Sequence, residues 1–92
     1  MADPTDHYLL LYDYVPNMAE RREPFRDAHR ARINAEREAG NLMVAGAFDP
    51  PTGGALVFKG VEREHVEEFA RADPYLEAGL ITDWRVQRWN LV

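Results

Sequence analysis

In "HYLLLYDY" (7–14), Tyr8, Leu10 and Tyr12 fall on one side of an extended chain and Leu9 and Leu11 on the other. The run ends at "VPN", so the pattern predicts a first strand ending near Tyr14. Asn17 with Glu20 three residues on reads as a capping box for a short turn over 18–22, and Pro24 lets a main helix begin afresh. That helix is predicted from Pro24 to Ala39, stopped by Gly40, with Phe25, Ala28, Ala31 or Arg32, and Ala35 recurring on its sheet-facing side. "NLMVAGAF" (41–48) and "GALVFKG" (54–60) are two β-type runs joined by the turn "DPPTG". In them Val44 and Phe48 oppose Met43 and Ala45, and Leu56 and Phe58 oppose Val57. "VEREHVEEFARA" (61–72) carries acids in its first turn and sets Val66, Phe69 and Ala70 on one helical side. Asp73 precedes Pro74 and should end that helix, because the residue before a proline is pushed out of the helical region. "LITDWRVQRWNLV" closes the chain as a final strand rich in aromatic and β-branched residues.

The order β-α-β-β-α-β predicts an α+β, ferredoxin-like domain: a four-stranded antiparallel sheet with two helices on one face. Residues 1–6 read as a flexible N-terminal tail and 7–92 as a single domain without repeats or linkers. Both faces of the sheet are apolar, whereas the helices cover one. The other is expected to be covered by a second copy, giving a homodimer through the sheet face.

The topology also brings chemistry together. With the end of strand one as the top, the first helix starts at the top and the second ends there, which places Asp73 at that rim. His29 lies about five residues into its helix, only ~7 Å below the same end at ~1.5 Å per residue. Tyr12, Asp13 and Tyr14, the "DPPTG" turn and Tyr75 share the rim. A carboxylate beside a histidine fixes the imidazole tautomer and stabilises the imidazolium formed when a proton is taken. The plainer alternatives are an ordinary Asp-Pro turn and a packed or surface histidine. His7, at a strand start, and His65, flanked by acids, are read as non-catalytic.

Composition narrows the possibilities. The chain has no cysteine, which removes disulfides and thiol chemistry, and three histidines without pairwise spacing, so neither a metal nor a cofactor is expected. A net charge of −5, with Arg interleaved with Glu along both helices, argues against nucleic acid. The apolar runs are too short for a membrane span and "MADPTD" lacks the features of a signal peptide, so a cytoplasmic protein is expected. No nucleophile elbow, phosphate loop or dinucleotide fingerprint is present.

The runs "FRDAHRARINAEREAGNLMVAGAF" and "ADPYLEAGLITDWRVQRW" resemble the YciI-like (YCII-related) family of small bacterial proteins, from strand one to Trp89. The resemblance implies a dimeric, α/β-barrel-type assembly of ferredoxin-like domains, with a His and an Asp as the active pair. These fall on His29 and Asp73. It further implies lyase- or isomerase-like chemistry on a small cyclic or aromatic compound. Two positions depart from the family pattern: Asp27 replaces a proline before the Ala-His, which could bring a carboxylate to the site entrance, and Ala47 stands where Ala-Gly-Pro is common. Tyr75 and Tyr14 are expected to stack on or hydrogen-bond a ring, and Arg26 to pair with an anionic substituent or with Asp27. The alternatives are a non-catalytic ligand-binding or accessory module of the same fold, and a structural dimer in which His29 and Asp73 form a surface ion pair.

Overall fold

A computed structural model describes residues 2–92. Its elements are β1 (His7–Tyr14), α1 (Met18–Arg21), α2 (Glu23–Glu38), β2 (Leu42–Ala47), β3 (Gly53–Lys59), α3 (Arg63–Arg71), α4 (Pro74–Glu77) and β4 (Ile81–Arg88). This is the expected order with two one-turn helices added. The four strands form one antiparallel sheet in the order β2-β3-β1-β4. Of the tail expected over 1–6, Met1 lies outside the described residues. Asp3 accepts hydrogen bonds from the Thr5 amide and hydroxyl, and the Asp6 carboxylate meets Arg88 Nη2 at 2.7 Å.

Alternation along β1 sends Tyr8, Leu10 and Tyr12 inward beside Leu56 and Phe58 of β3. Onto this face α3 sets Val66, Phe69 and Ala70, with the Phe58 and Phe69 rings edge-on at 5.3 Å. Met18, Tyr75, Leu80 and Ile81 complete one core, each large apolar side chain contributing about 1.5–3 kcal/mol by burial.

Three local expectations need correction. Asn17 makes no side-chain cap bond; it takes a left-handed φ of 61° and its carbonyl accepts from the Glu20 and Arg21 amides. In β2 the register shifts between Leu42 and Val44, so Leu42 and Ala45 face inward while Met43 and Val44 are both exposed. A β-bulge breaks the period of two on which the expected alternation rested. The third concerns α2, where Phe25, Ala28, Ala31 and Ala35 are exposed and the inward side carries His29, Arg32, Ile33 and Glu36. Polar contacts hold this helix: Arg32 Nη1 donates to the Phe69 carbonyl at 2.9 Å with its guanidinium 4.3 Å above the Phe69 ring, and Glu36 pairs with His65 Nε2.

Candidate active site

Asp73 is where the chain leaves α3 and enters α4. Its extended backbone (φ −67°, ψ 127°) suits a residue before proline, Pro74 occupies the first helical position, and Asp73 Oδ1 accepts the Tyr75 amide at 2.9 Å. The carboxylate is therefore an N-cap, yet it is wholly buried. Two further donors reach it. Tyr12 Oη donates to Oδ2 at 2.9 Å, and His29 Nδ1 lies 2.9 Å from Oδ1 and 3.0 Å from Oδ2. Removing a carboxylate from water costs several kcal/mol, and three hydrogen bonds to a charged group, at about 1.5–3 kcal/mol each, offset a cost of that size.

A carboxylate oxygen accepts, so this geometry puts a proton on Nδ1 of His29. Nε2 has no hydrogen-bond partner among the described residues, and it is not among the sequestered atoms without partners. His29, 8% exposed, lines a groove of about 340 Å³ between α2 and the β2–β3 edge, and Nε2 is the nitrogen left for whatever enters it. The imidazole is stacked on Tyr75, centroids 3.8 Å apart and planes 12° from parallel. Tyr14 stands edge-on to Tyr75 at 6.2 Å.

Space for Tyr14 comes from Gly54. A Cβ there would lie 2.9 Å from Tyr14 Oη and 2.9 Å from the Gly46 carbonyl, so a side chain at this position would displace the phenol. Burial raises the phenol pKa of Tyr12 and Tyr14, and the Asp73 charge raises both further. Tyr75 is raised by burial, while Arg22 and Arg26 pull it back. All three phenols stay protonated at neutral pH, so Tyr12 serves Asp73 as a donor and Tyr14 and Tyr75 can donate toward the groove.

Residues 7–90 match the YCII-related domain. The chain belongs to that family. An uncharacterised protein of Haemophilus influenzae is 28% identical over 96 residues, covering 94% of this chain and 98% of its own. Among solved structures, 5-chloro-2-hydroxyhydroquinone dehydrochlorinase of Burkholderia phenoliruptrix, in complex with 2,5-dihydroxybenzoquinone, matches with a TM-score of 0.77 at 24% identity, over 91% of this chain and 93% of its own. A Pseudomonas aeruginosa protein matches with a TM-score of 0.61 at 9% identity, over 100% of this chain and 98% of its own. These two likenesses speak for the fold.

Within this YCII-related chain the structure brings together His29, Asp73, Tyr75, Tyr14 and Arg26, the last four contacting or lining the space around His29. Arg26 does not pair with Asp27; its nearest carboxylate is Glu23 at 3.9 Å. Asp27 is exposed and does not line the groove. Ala47 lines the groove wall with Ala45 and Gly46. His7 Nδ1 meets the Thr5 carbonyl at 2.8 Å, and His65 pairs with Glu36, both outside this groove. Sequence reasoning placed Tyr12 at the rim but gave it no role, although its inward position on β1 was a usable signal, since a phenol in a core must find a partner. It left out Arg22, Arg30 and Arg37, which line the groove with Arg26. Among the described residues no group of three or more His, Cys, Asp or Glu is disposed to hold a metal, and no helix is long and apolar enough to cross a membrane.

Proposed function

We propose that this protein is a small-molecule enzyme of lyase- or isomerase-like type, acting on a small cyclic or aromatic compound, with His29 as general base and then acid. The observation that carries the reading is the wholly buried Asp73 carboxylate holding His29 through Nδ1, with Nε2 left to the groove. In the forward step Nε2 takes a proton from a ring carbon or hydroxyl, and the electron pair released moves into the ring system. The imidazolium, stabilised by Asp73, then returns the proton to another ring atom in an isomerisation, or remains charged until a leaving group has departed with its electron pair. Tyr14 and Tyr75 supply a flat apolar wall and neutral hydroxyl donors for a developing oxyanion. Likeness in fold to a dehydrochlorinase of a hydroxylated ring compound points to the same substrate type. The outer face of the sheet, with Leu9, Leu11, Val44, Ala55 and Val57, is proposed to pair two copies.

The test is turnover of a panel of hydroxylated and chlorinated hydroquinones and cyclic enones, followed by chloride release and by solvent-deuterium incorporation in NMR spectra. Turnover is expected in the wild type, with loss in His29→Gln and a fall of about 10²–10⁴-fold in Asp73→Asn. Asn keeps the cap and accepts from His29, so the fold should persist. Binding of panel members without turnover in the wild type would overturn the enzyme reading in favour of a ligand-binding module.

A further inference from the structure

The groove beside His29 has an unusual charge. Sixteen Asp and Glu stand against eleven Lys and Arg in the chain, yet the groove is lined by Arg22, Arg26, Arg30 and Arg37 and by no carboxylate. Arg22, Arg26 and Arg30 follow one another at four-residue spacing, so they stack along one side of the helical path, where like charges oppose helix formation. Little in the protein compensates them. Among the described residues the only carboxylate within ion-pair distance of the four is Glu23, at 3.9 Å from Arg26 Nη1. Arg37 reaches only the Asn34 side-chain oxygen, at 3.3 Å. The Nε of Arg22 is sequestered from solvent without an acceptor, a donor with nothing to donate to.

The facing wall is built to leave room. Ala45, Gly46 and Ala47 line it with little or no side chain. Among the described residues no side-chain hydrogen bond joins these guanidiniums to that wall. Arg22 and Arg26 line the groove together with Tyr75, the ring stacked on His29, and their charge reaches its phenol, as does that of Glu23 from the helix start. A planar guanidinium fork matches a carboxylate in two parallel hydrogen bonds, and burial against Tyr14, Tyr75 and Ile33 strengthens such a pair relative to water.

We infer that the groove selects a ring compound bearing a carboxylate, seated on Arg22 and Arg26 so that the ring lies against Tyr75 and Tyr14 and faces His29 Nε2. Arg30 and Arg37 extend the positive field along the groove and draw the anion in. This names the substrate class of the site described above and rests on that reading for its reaction, whereas its test is one of binding.

Two probes of one shape separate charge from ring recognition: 2,5-dihydroxybenzoate and its neutral amide, 2,5-dihydroxybenzamide, each titrated into the ¹⁵N-labelled protein at low ionic strength. The benzoate is expected to bind about tenfold tighter or more, as a charge-assisted pair predicts, and to shift the resonances of His29 and Tyr75. In Arg26→Gln, and in Arg22→Lys, which keeps the charge but loses the fork, the preference should shrink toward parity through a loss of benzoate affinity larger than any loss for the amide. Ala28→Gln, on the opposite exposed side of α2, should leave it intact. Equal affinities in the wild type, no binding of the benzoate, or a preference that survives Arg26→Gln and Arg22→Lys would overturn the inference. Asp73→Asn should retain the preference, so a failure of the proton-transfer reading and a failure of the anion reading give different results.

Discussion

Tyr12 shows how one hydroxyl couples the core to the site. Its ring is part of the packing on the inner sheet face, and its hydroxyl is one of three donors to the wholly buried Asp73 carboxylate. Tyr12→Phe keeps the ring and removes the donor, so a loss of about 1.5–3 kcal/mol in urea denaturation is expected. The pH dependence has a defined sign. The folded phenol pKa values of Tyr12, Tyr14 and Tyr75 are raised above the ordinary 10.0, first by burial. Their contribution is thus fully present below about pH 10 and is lost as pH rises beyond it, because the unfolded chain releases protons that the folded chain keeps. The urea midpoint should fall above that pH, and less steeply in Tyr12→Phe; an equal slope in the two proteins would show that Tyr12 does not carry this coupling. At this scale the sequence was legible where topology alone sufficed: Asp73 and His29, 44 residues apart, meet because one helix begins where the other ends. Tyr12 was legible in position but not in role, since alternation says which way a phenol points and not which carboxylate it meets.

Along α2 the spacing of Phe25, Ala28, Ala31 or Arg32, and Ala35 suggested a sheet-facing side, and of these only Arg32 turns inward. The reason is quantitative. An alanine buries a single methyl, so a stripe of alanines is a weak claim on the sheet at about 0.8 kcal/mol per buried carbon. Three specific anchors outweigh it: His29 to Asp73, Arg32 to the Phe69 carbonyl and ring, and Glu36 to His65. Such anchors join residues on different elements and leave no periodic trace in the sequence, which is why the helix bounds were legible and its rotation was not. The bulge in β2 escaped for a similar reason, since nothing in "NLMVAGAF" marks where the period of two is broken. Arg32→Ala should therefore destabilise the protein by about 1–3 kcal/mol through loss of a charged hydrogen bond and the cation–ring contact. Ala31→Ser, one residue away on the exposed side, should change stability by less than about 0.5 kcal/mol in the same urea titration. Comparable losses in both variants would restore the apolar-stripe orientation.

For the whole molecule, helices on one face leave the other to be accounted for. That face carries Leu9 and Leu11 on β1, Ala55 and Val57 on β3 and Val44 on β2, the last 61% exposed, with Phe48, 50% exposed, beside them. Contiguous apolar positions on an uncovered sheet face mark an interaction surface, and a chain of 92 residues gains from burying more. The outward positions of β4 are different: Asp83, Arg85 and Gln87 would form a polar rim and fix the register of a two-fold pairing. Val57 is central, with Leu9 on one neighbouring strand and Val44 on the other. Val57→Lys projects a charge into the middle of the proposed interface, while on an isolated protomer it points to water and leaves the core untouched. Sedimentation equilibrium at tens of micromolar, roughly where subunit association of this kind is read, should give twice the chain mass of 10.6 kDa for the wild type and a single chain for Val57→Lys. Circular dichroism of the variant should stay unchanged. Because the groove lies in the helical layer, away from this face, the monomeric variant should still bind 2,5-dihydroxybenzoate as the wild type does. A wild type that sediments as a monomer would remove the dimer; loss of benzoate binding on dissociation would mean that a partner copy helps to shape the groove.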